Sequence, residues 1–274
     1  YSRISTTKDC IVLQQNLNKI LIWSSVNRLL LNKNKCFVMS FGLKREMISF
    51  DYKLNAVVLA RPQTVTDLGV VFDCKLSFVD HIRKVVTDCT KTLGFIIRNS
   101  RDFKDCNTII RIYNALLESK LYYACIIWCP HYNIHGAQLE GIIRKFLKYL
   151  TYRKDGVYPP IGFPQSSLLN RFNISSFMDT CKKFYAVFLF KLLHNCIDCS
   201  LILEQLHFNV GPRSIISRHP AIFHLTASRT DVAKFSPLLT MCRIGNCIHN
   251  KIDLFSAPLR AVKGFDYSQT CPFC

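Results

Sequence analysis

After Ser77 the chain changes its apolar period, and that change constrains the fold more than any other feature of it. Val79, Ile82, Val86, Cys89, Leu93 and Ile96 recur at three- and four-residue spacing. So do Ile109, Ile112, Leu116, Leu117, Leu121 and Ala124, and then Leu139, Ile142, Ile143, Phe146 and Leu150. Such spacing gathers apolar side chains on one face of a helix, and three such helices with short polar joints predict a bundle. Before Ser77 the apolar runs are short and bounded by turn residues. Lys35 to Phe41 and Leu68 to Asp73 read as strands, and Met47 to Tyr52 with Ala56 to Leu59 as a hairpin about Lys53-Leu54-Asn55. A helix from Thr6 to Asn27 precedes them, opened by the capping pair Thr6 and Asp9, with Cys10, Leu13, Leu17, Ile20 and Ser24 as the stripe a sheet face would cover.

The expected class is therefore α+β: a small antiparallel sheet with a covering helix over 1–77, a helical bundle over 78–154, and a mainly helical region over 166–274. Between the last two, 155–165 carries Gly156, Pro159, Pro160, Gly162 and Pro164, residues that end helices and mark a linker. A short helix near Leu168 and a strongly apolar one from Ser175 to Asn195 follow it.

Charge narrows the partners. Thirty-six Lys and Arg against 18 Asp and Glu give a net charge of +18, which favours polyanions, nucleic acid first. The apolar runs Tyr122 to Cys129 and Phe184 to Phe190 are too short to span a bilayer, and no membrane partner is expected. Ser, Thr, Lys and Asp precede the first apolar residues, which is not a signal-peptide layout. The 14 cysteines mostly sit singly inside periodic segments, as reduced, buried thiols of an intracellular protein do.

Several stretches then carry a resemblance. Leu31-Asn32, Lys35, Met39 and Phe41 are similar to the fourth palm motif of reverse transcriptases of the jockey-like retrotransposons that lack long terminal repeats. Thr66-Asp67-Leu68-Gly69-Val70-Val71-Phe72-Asp73, continuing to Leu76, Phe78, His81 and Ile82, resembles their primer-grip strand turning into the first thumb helix. The family more often has Tyr or Trp where this chain has Asp67 and Phe78. Tyr113, Leu117, Leu121, Tyr122, Tyr123 and Trp128-Cys129-Pro130 follow its long thumb helix. Phe235-Ser236-Pro237-Leu238 and Ile252-Asp253-Leu254-Phe255 resemble its closing segment.

The resemblance implies a palm edge, a primer grip and a thumb. It implies that the chain opens a few residues past the catalytic Asp pair, so that the grip on the primer is kept and the metal site is not. The intact parent would copy RNA into DNA with Mg²⁺, in cytoplasm and nucleus. This part would hold the template–primer duplex beside the remaining palm and fingers. Lys35 would take the place of the motif's proposed general acid toward pyrophosphate, the alternative being a solvated Lys at a strand start. Leu68, Gly69 and Val70 would grip the primer, Gly69 by letting two backbones approach. His81 matches a residue usual in the family but reads as packing at a helix start. Tyr113 and Trp128 likewise read as core.

The residues themselves add a basic face. Arg83, Lys84, Lys91, Arg98, Arg144, Lys145 and Lys148 interleave with the apolar stripes, with Arg101, Lys104, Arg111, Lys120, Arg153 and Lys154 nearby. Any one of them reads as a solvated helix face; together they suit sequence-tolerant phosphate contacts whose affinity falls steeply with salt. No adjacent Asp pair is present, and Asp51, Asp67 and Asp73 stand singly, so this stretch alone is not expected to polymerise. There is no phosphate-binding Gly-rich loop and no Gly-x-Ser-x-Gly elbow.

Two Cys-x-x-Cys pairs, Cys196 with Cys199 and Cys271 with Cys274, have the residue type of a zinc site at a spacing much wider than compact zinc modules use. His194 and His249 are possible substitutes. The readings left open are a duplex-holding fragment of a reverse transcriptase, a non-enzymatic nucleic-acid-binding or scaffold protein derived from a retroelement, and a zinc-stabilised interaction module.

Overall fold

The computed structural model describes residues 2–42, 48–209 and 221–270. It is α+β, and it divides into two compact units, Tyr1–Asp80 and His81–Cys274.

The first unit opens with α1, Thr7–Val26. Its start is fixed by the expected capping box: Thr6 Oγ1 accepts from the Asp9 amide, and Asp9 Oδ2 accepts from the Thr6 amide at 2.8 Å. Two short antiparallel hairpins follow, β1 Lys53–Leu54 with β2 Val57–Val58, and β3 Thr64–Asp67 with β4 Val70–Asp73. Gln14 ties the helix to the first hairpin, its side-chain amide accepting from the Lys53 N–H and donating to the Lys53 carbonyl, both at 2.8 Å.

The hairpins are too small to cover the whole helix face. Cys10 and Ser24 are buried and Leu13 and Leu17 half-buried, but Ile20 is 51% exposed, outside the expected stripe. Val26 and Leu30 are 76% and 89% exposed.

Three strand expectations change here. The stretch Lys35 to Phe41 is not a strand. Asn32 accepts the Asn34 amide on its side chain and the Lys35 amide on its carbonyl, both at 3.0 Å, which winds Lys33–Lys35 into a 3₁₀ turn. Only Phe37 then bridges to Ala60, in parallel. The hairpin turns at Asn55-Ala56, two residues that both adopt positive φ, and its expected start at Met47 lies outside the described residues. The stretch from Leu68 to Asp73 is not one strand either. The chain reverses at Leu68 and Gly69, with φ of 45° and 84°, the two left-handed residues that a type I′ turn between β3 and β4 requires.

The second unit is helical, entered from α2, Val79–Asn99. Then come α3 Cys106–Tyr113, a π-helical turn Asn114–Glu118, and α4 Ser119–Leu121. These three run on as one rod until Ala124, whose φ of 52° breaks it before α5 Cys125–Trp128. The long α6, Asn133–Asp155, stops at Gly156 in the left-handed conformation, as the Gly- and Pro-rich stretch predicts.

Beyond that stretch lie α7 Gln165–Phe172, α8 Phe177–Leu193, α9 Ser200–Leu203, α10 Asp231–Lys234, α11 Pro237–His249 and α12 Leu259–Gly264. The stripes expected on α6 are all buried, from Leu139 to Leu150. On the rod, Ile109, Tyr113, Leu117 and Leu121 are fully buried at intervals of four, while Leu116 is 40% exposed. The inserted π turn moves it off the face.

A second core forms around α8, where Tyr185, Leu189 and Leu192 meet Phe223, Met241, Ile244 and Ile248. The closest approach is at Gly245 of α11, where an added Cβ would lie 2.7 Å from a Leu189 methyl and 2.8 Å from the Phe223 ring.

Candidate nucleic-acid interface

The basic residues of the second unit differ in what they touch. Arg153 donates to the carbonyls of Arg101 and Phe103 at 2.7 and 2.6 Å, fixing the loop between α2 and α3. Lys120 donates to Thr92 Oγ1 at 3.0 Å. Arg144 is half-buried and reaches the Phe163 carbonyl at 3.4 Å. These hold structure.

Arg83, Lys84, Lys91, Arg98 and Lys145 are exposed and Lys148 is half-buried. On α2, Lys84, Lys91 and Arg98 follow at seven-residue steps and share one side. Arg83 stands beside that row on the side facing α6, with Thr87 and Thr90. On α6, Gly141, Lys145 and Lys148 lie on one face.

Between the two helices runs an open groove of about 390 Å³. Small side chains make it: Thr87 and Thr90 on α2 stand opposite Ala137 and Gly141 on α6, with Arg83 and Lys145 on its rim. The two threonine hydroxyls donate to their own helix, to the Arg83 and Val86 carbonyls at 2.9 and 2.7 Å, so the groove's donors are the cations and Gln138. A cleft with cationic rims, an amide and a bare glycine floor suits a phosphate backbone rather than base edges. Sequence reasoning named Arg83 and Lys145 but not the groove, because its floor depends on Ala137 and Gly141, which carry no charge pattern.

In the first unit the three expected grip residues differ. Leu68 is 83% exposed and Gly69 exposed at the tip of the β3–β4 turn, while Val70 is only 2% exposed and points into the unit. Lys35 is exposed at the end of its 3₁₀ turn.

The acids do not form a metal clamp. Asp51 and Asp67 are exposed. Asp73 is engaged: burial opposes its charge, but the amides of Phe78 and Lys75, at 2.8 and 3.2 Å, hold its carboxyl below the ordinary range. Its job is to cap the entry to α2. Among the described residues no three His, Cys, Asp or Glu side chains converge as a metal would need. Asp51, Asp67 and Asp73 do not fit Mg²⁺.

His81 is buried edge-on against Trp128, with ring centroids 5.0 Å apart, and burial with Lys84 nearby pushes its imidazole below the ordinary value. Tyr113 stacks on Phe146 at 3.9 Å, and Trp128 is 1% exposed with its indole N–H on the Tyr123 carbonyl. All three are core.

Of the zinc candidates, Cys196 is exposed and Cys199 half-buried, and Cys271 and Cys274 lie outside the described residues. His194 is committed to the Leu254 carbonyl at 3.0 Å, and His249 lies 3.9 Å from Asp253. The twelve described cysteines are free thiols. Among the described residues no helix is long and apolar enough to cross a membrane.

Comparison with protein-family models, with curated proteins and with solved structures returns no match.

Proposed function

We propose that this chain binds a nucleic-acid duplex through its phosphate backbone, as the duplex-holding part of a retroelement reverse transcriptase. One observation carries the reading. A groove of small residues between α2 and α6 is rimmed by Arg83 and Lys145 on a protein of net charge +18. Phosphate tracking needs cations along a shaped channel, and the groove's rim supplies them. The exposed Leu68-Gly69 turn supports the same reading, as a protruding tip with an apolar side chain beside a bare backbone.

The parent polymerase would supply the Mg²⁺-binding carboxylates, the fingers and the remaining palm, and would work inside the cell. Lys35 has in this reading the place of a proton donor to pyrophosphate. The test is fluorescence anisotropy of a labelled RNA–DNA primer–template. Binding that is indifferent to sequence and weakens at least tenfold between 50 and 200 mM salt, about the loss that a few phosphate contacts give, supports the reading. Affinity that does not change with salt overturns it.

A non-enzymatic binder derived from such an element shares the groove and differs in its parent. An open reading frame upstream that runs into an aromatic-x-Asp-Asp motif distinguishes the polymerase.

A further inference from the structure

The π-helical turn Asn114–Glu118 opens a second site on the helical unit. π turns are rare, and they cluster where a side chain has to be moved out of helical register. Here the turn places Asn114 and Glu118 on the wall of an open pocket of about 470 Å³, faced across by Lys183 and Phe184 of α8 and flanked by Tyr122 and Tyr123. Phe184 leans on Tyr122, with ring centroids 5.8 Å apart, and is 41% exposed, so part of its ring is open to the pocket.

Glu118 is the unexplained group in this wall. Its carboxylate is half-buried, and among the described residues it accepts no hydrogen bond. Burial pushes its carboxyl above the ordinary value, and the charge of Lys183 only partly opposes that. A half-buried carboxylate on a pocket wall is an acceptor that a ligand N–H can meet.

We propose that this pocket takes one unpaired nucleobase bearing an exocyclic amino group, cytosine, adenine or guanine rather than thymine or uracil, from a single-stranded segment. The base stacks on Phe184 and Tyr123. Its amino group donates to Glu118, and its ring acceptor is met by the Asn114 amide or the Lys183 ammonium. Thymine and uracil have no amino group, and their one ring N–H is flanked by two carbonyl oxygens that a carboxylate repels, so they are disfavoured. Aromatic faces bind any base, and the acceptor supplies the choice. The inference rests on the nucleic-acid reading above and adds a base preference to it.

The experiment uses the full chain in two arms. In the first, anisotropy compares a blunt duplex with the same duplex carrying a short tail of dC, dA or dT. The dC and dA tails are expected to tighten binding about tenfold over dT, the discrimination one well-placed base contact gives. Glu118→Gln, whose amide both donates and accepts, should abolish the preference and leave the blunt duplex unaffected. Phe184→Leu should weaken binding of all three tails.

In the second arm, cytidine and uridine monophosphates are titrated against the chain by NMR chemical shift, with no duplex present. Cytidine should shift the spectrum at lower concentration than uridine, and Glu118→Gln should equalise them. Blunt-duplex binding with equal tails and equal nucleotides overturns the pocket and leaves the duplex reading standing. A cytidine preference without duplex binding does the reverse.

Discussion

Glu140 of α6 accepts the backbone N–H of Phe177, the first residue of α8, on Oε2 at 2.7 Å, while its other oxygen accepts from Gln165 at the start of α7. One half-buried carboxylate thus satisfies an amide at the start of α8, which no intrahelical carbonyl can reach, and pins both helices to the bundle across the Gly- and Pro-rich stretch. Together with the Asp155–Arg171 ion pair at 2.6 Å, it ties the two sides of 155–165, a stretch that looks like a linker, within the one unit His81–Cys274. Glu140→Ala should lose about 1–3 kcal/mol, the cost of leaving a buried donor unmet, read by denaturant unfolding. Glu140→Gln keeps the acceptor and should lose less.

The same residue sets a pH dependence. Burial raises the Glu140 carboxyl above its ordinary value of 4.5, more than the Phe177 amide lowers it. A folded-state value above the unfolded one contributes stability that is fully present below the unfolded value and lost as pH rises through the folded one. Stability of the wild type relative to Glu140→Gln should therefore rise as pH falls from 7 to below 4.5. Denaturation midpoints of the two proteins across that range check it, and a constant difference contradicts it.

Lys182 is a second internal fastener. It is 5% exposed, and its ammonium donates to Asp179 at 2.9 Å and to the carbonyls of Tyr267 and Thr270 at 3.1 and 2.9 Å. Lys182→Met should cost about 3 kcal/mol, because two buried carbonyls and a carboxylate lose their donor together. Hydrogen exchange should speed first in 259–270, the segment those carbonyls anchor.

Two glycines in helices should respond oppositely to alanine. Gly245→Ala presses a methyl into Leu189 and Phe223 and should destabilise by about 1–3 kcal/mol, as overpacking does. Gly136→Ala meets nothing within 4 Å and should stabilise by up to about 1 kcal/mol through helix propensity. Thermal unfolding of both variants checks the pair.

The turn at Leu68-Gly69 shows where the sequence was hard to read. Leucine is a poor residue for positive φ, so nothing in Asp67-Leu68-Gly69-Val70 except the glycine signals a reversal, and the apolar run reads as one strand. Leu68→Asn should stabilise the first unit by about 1 kcal/mol, the cost of a left-handed non-glycine residue.

Elsewhere local chemistry was legible. Thr6 and Asp9 marked the start of α1, Gly156 marked the end of α6, and the three- and four-residue spacing placed Leu139 to Leu150 in the core. What stayed hidden depends on residues distant in sequence. A π turn has nearly the same apolar spacing as an α turn, so the rod over 106–121 reads as plain helix. The α2–α6 groove exists because Thr87 and Thr90 meet Ala137 and Gly141, some fifty residues on. Of the basic residues, only the fold separates Arg153 and Lys120, whose side chains bind carbonyls and a hydroxyl of neighbouring elements, from Arg83 and Lys145, which line the groove.

The central claim is that Arg83 and Lys145 hold phosphates. The most direct test is the slope of log affinity against log salt for a blunt primer–template duplex, measured on the wild type and on the Arg83→Ala, Lys145→Ala double variant. Each phosphate contact contributes about 0.9 to that slope, so the double variant should flatten it by about 2. A slope identical to the wild type's would contradict the assignment of the groove to the duplex.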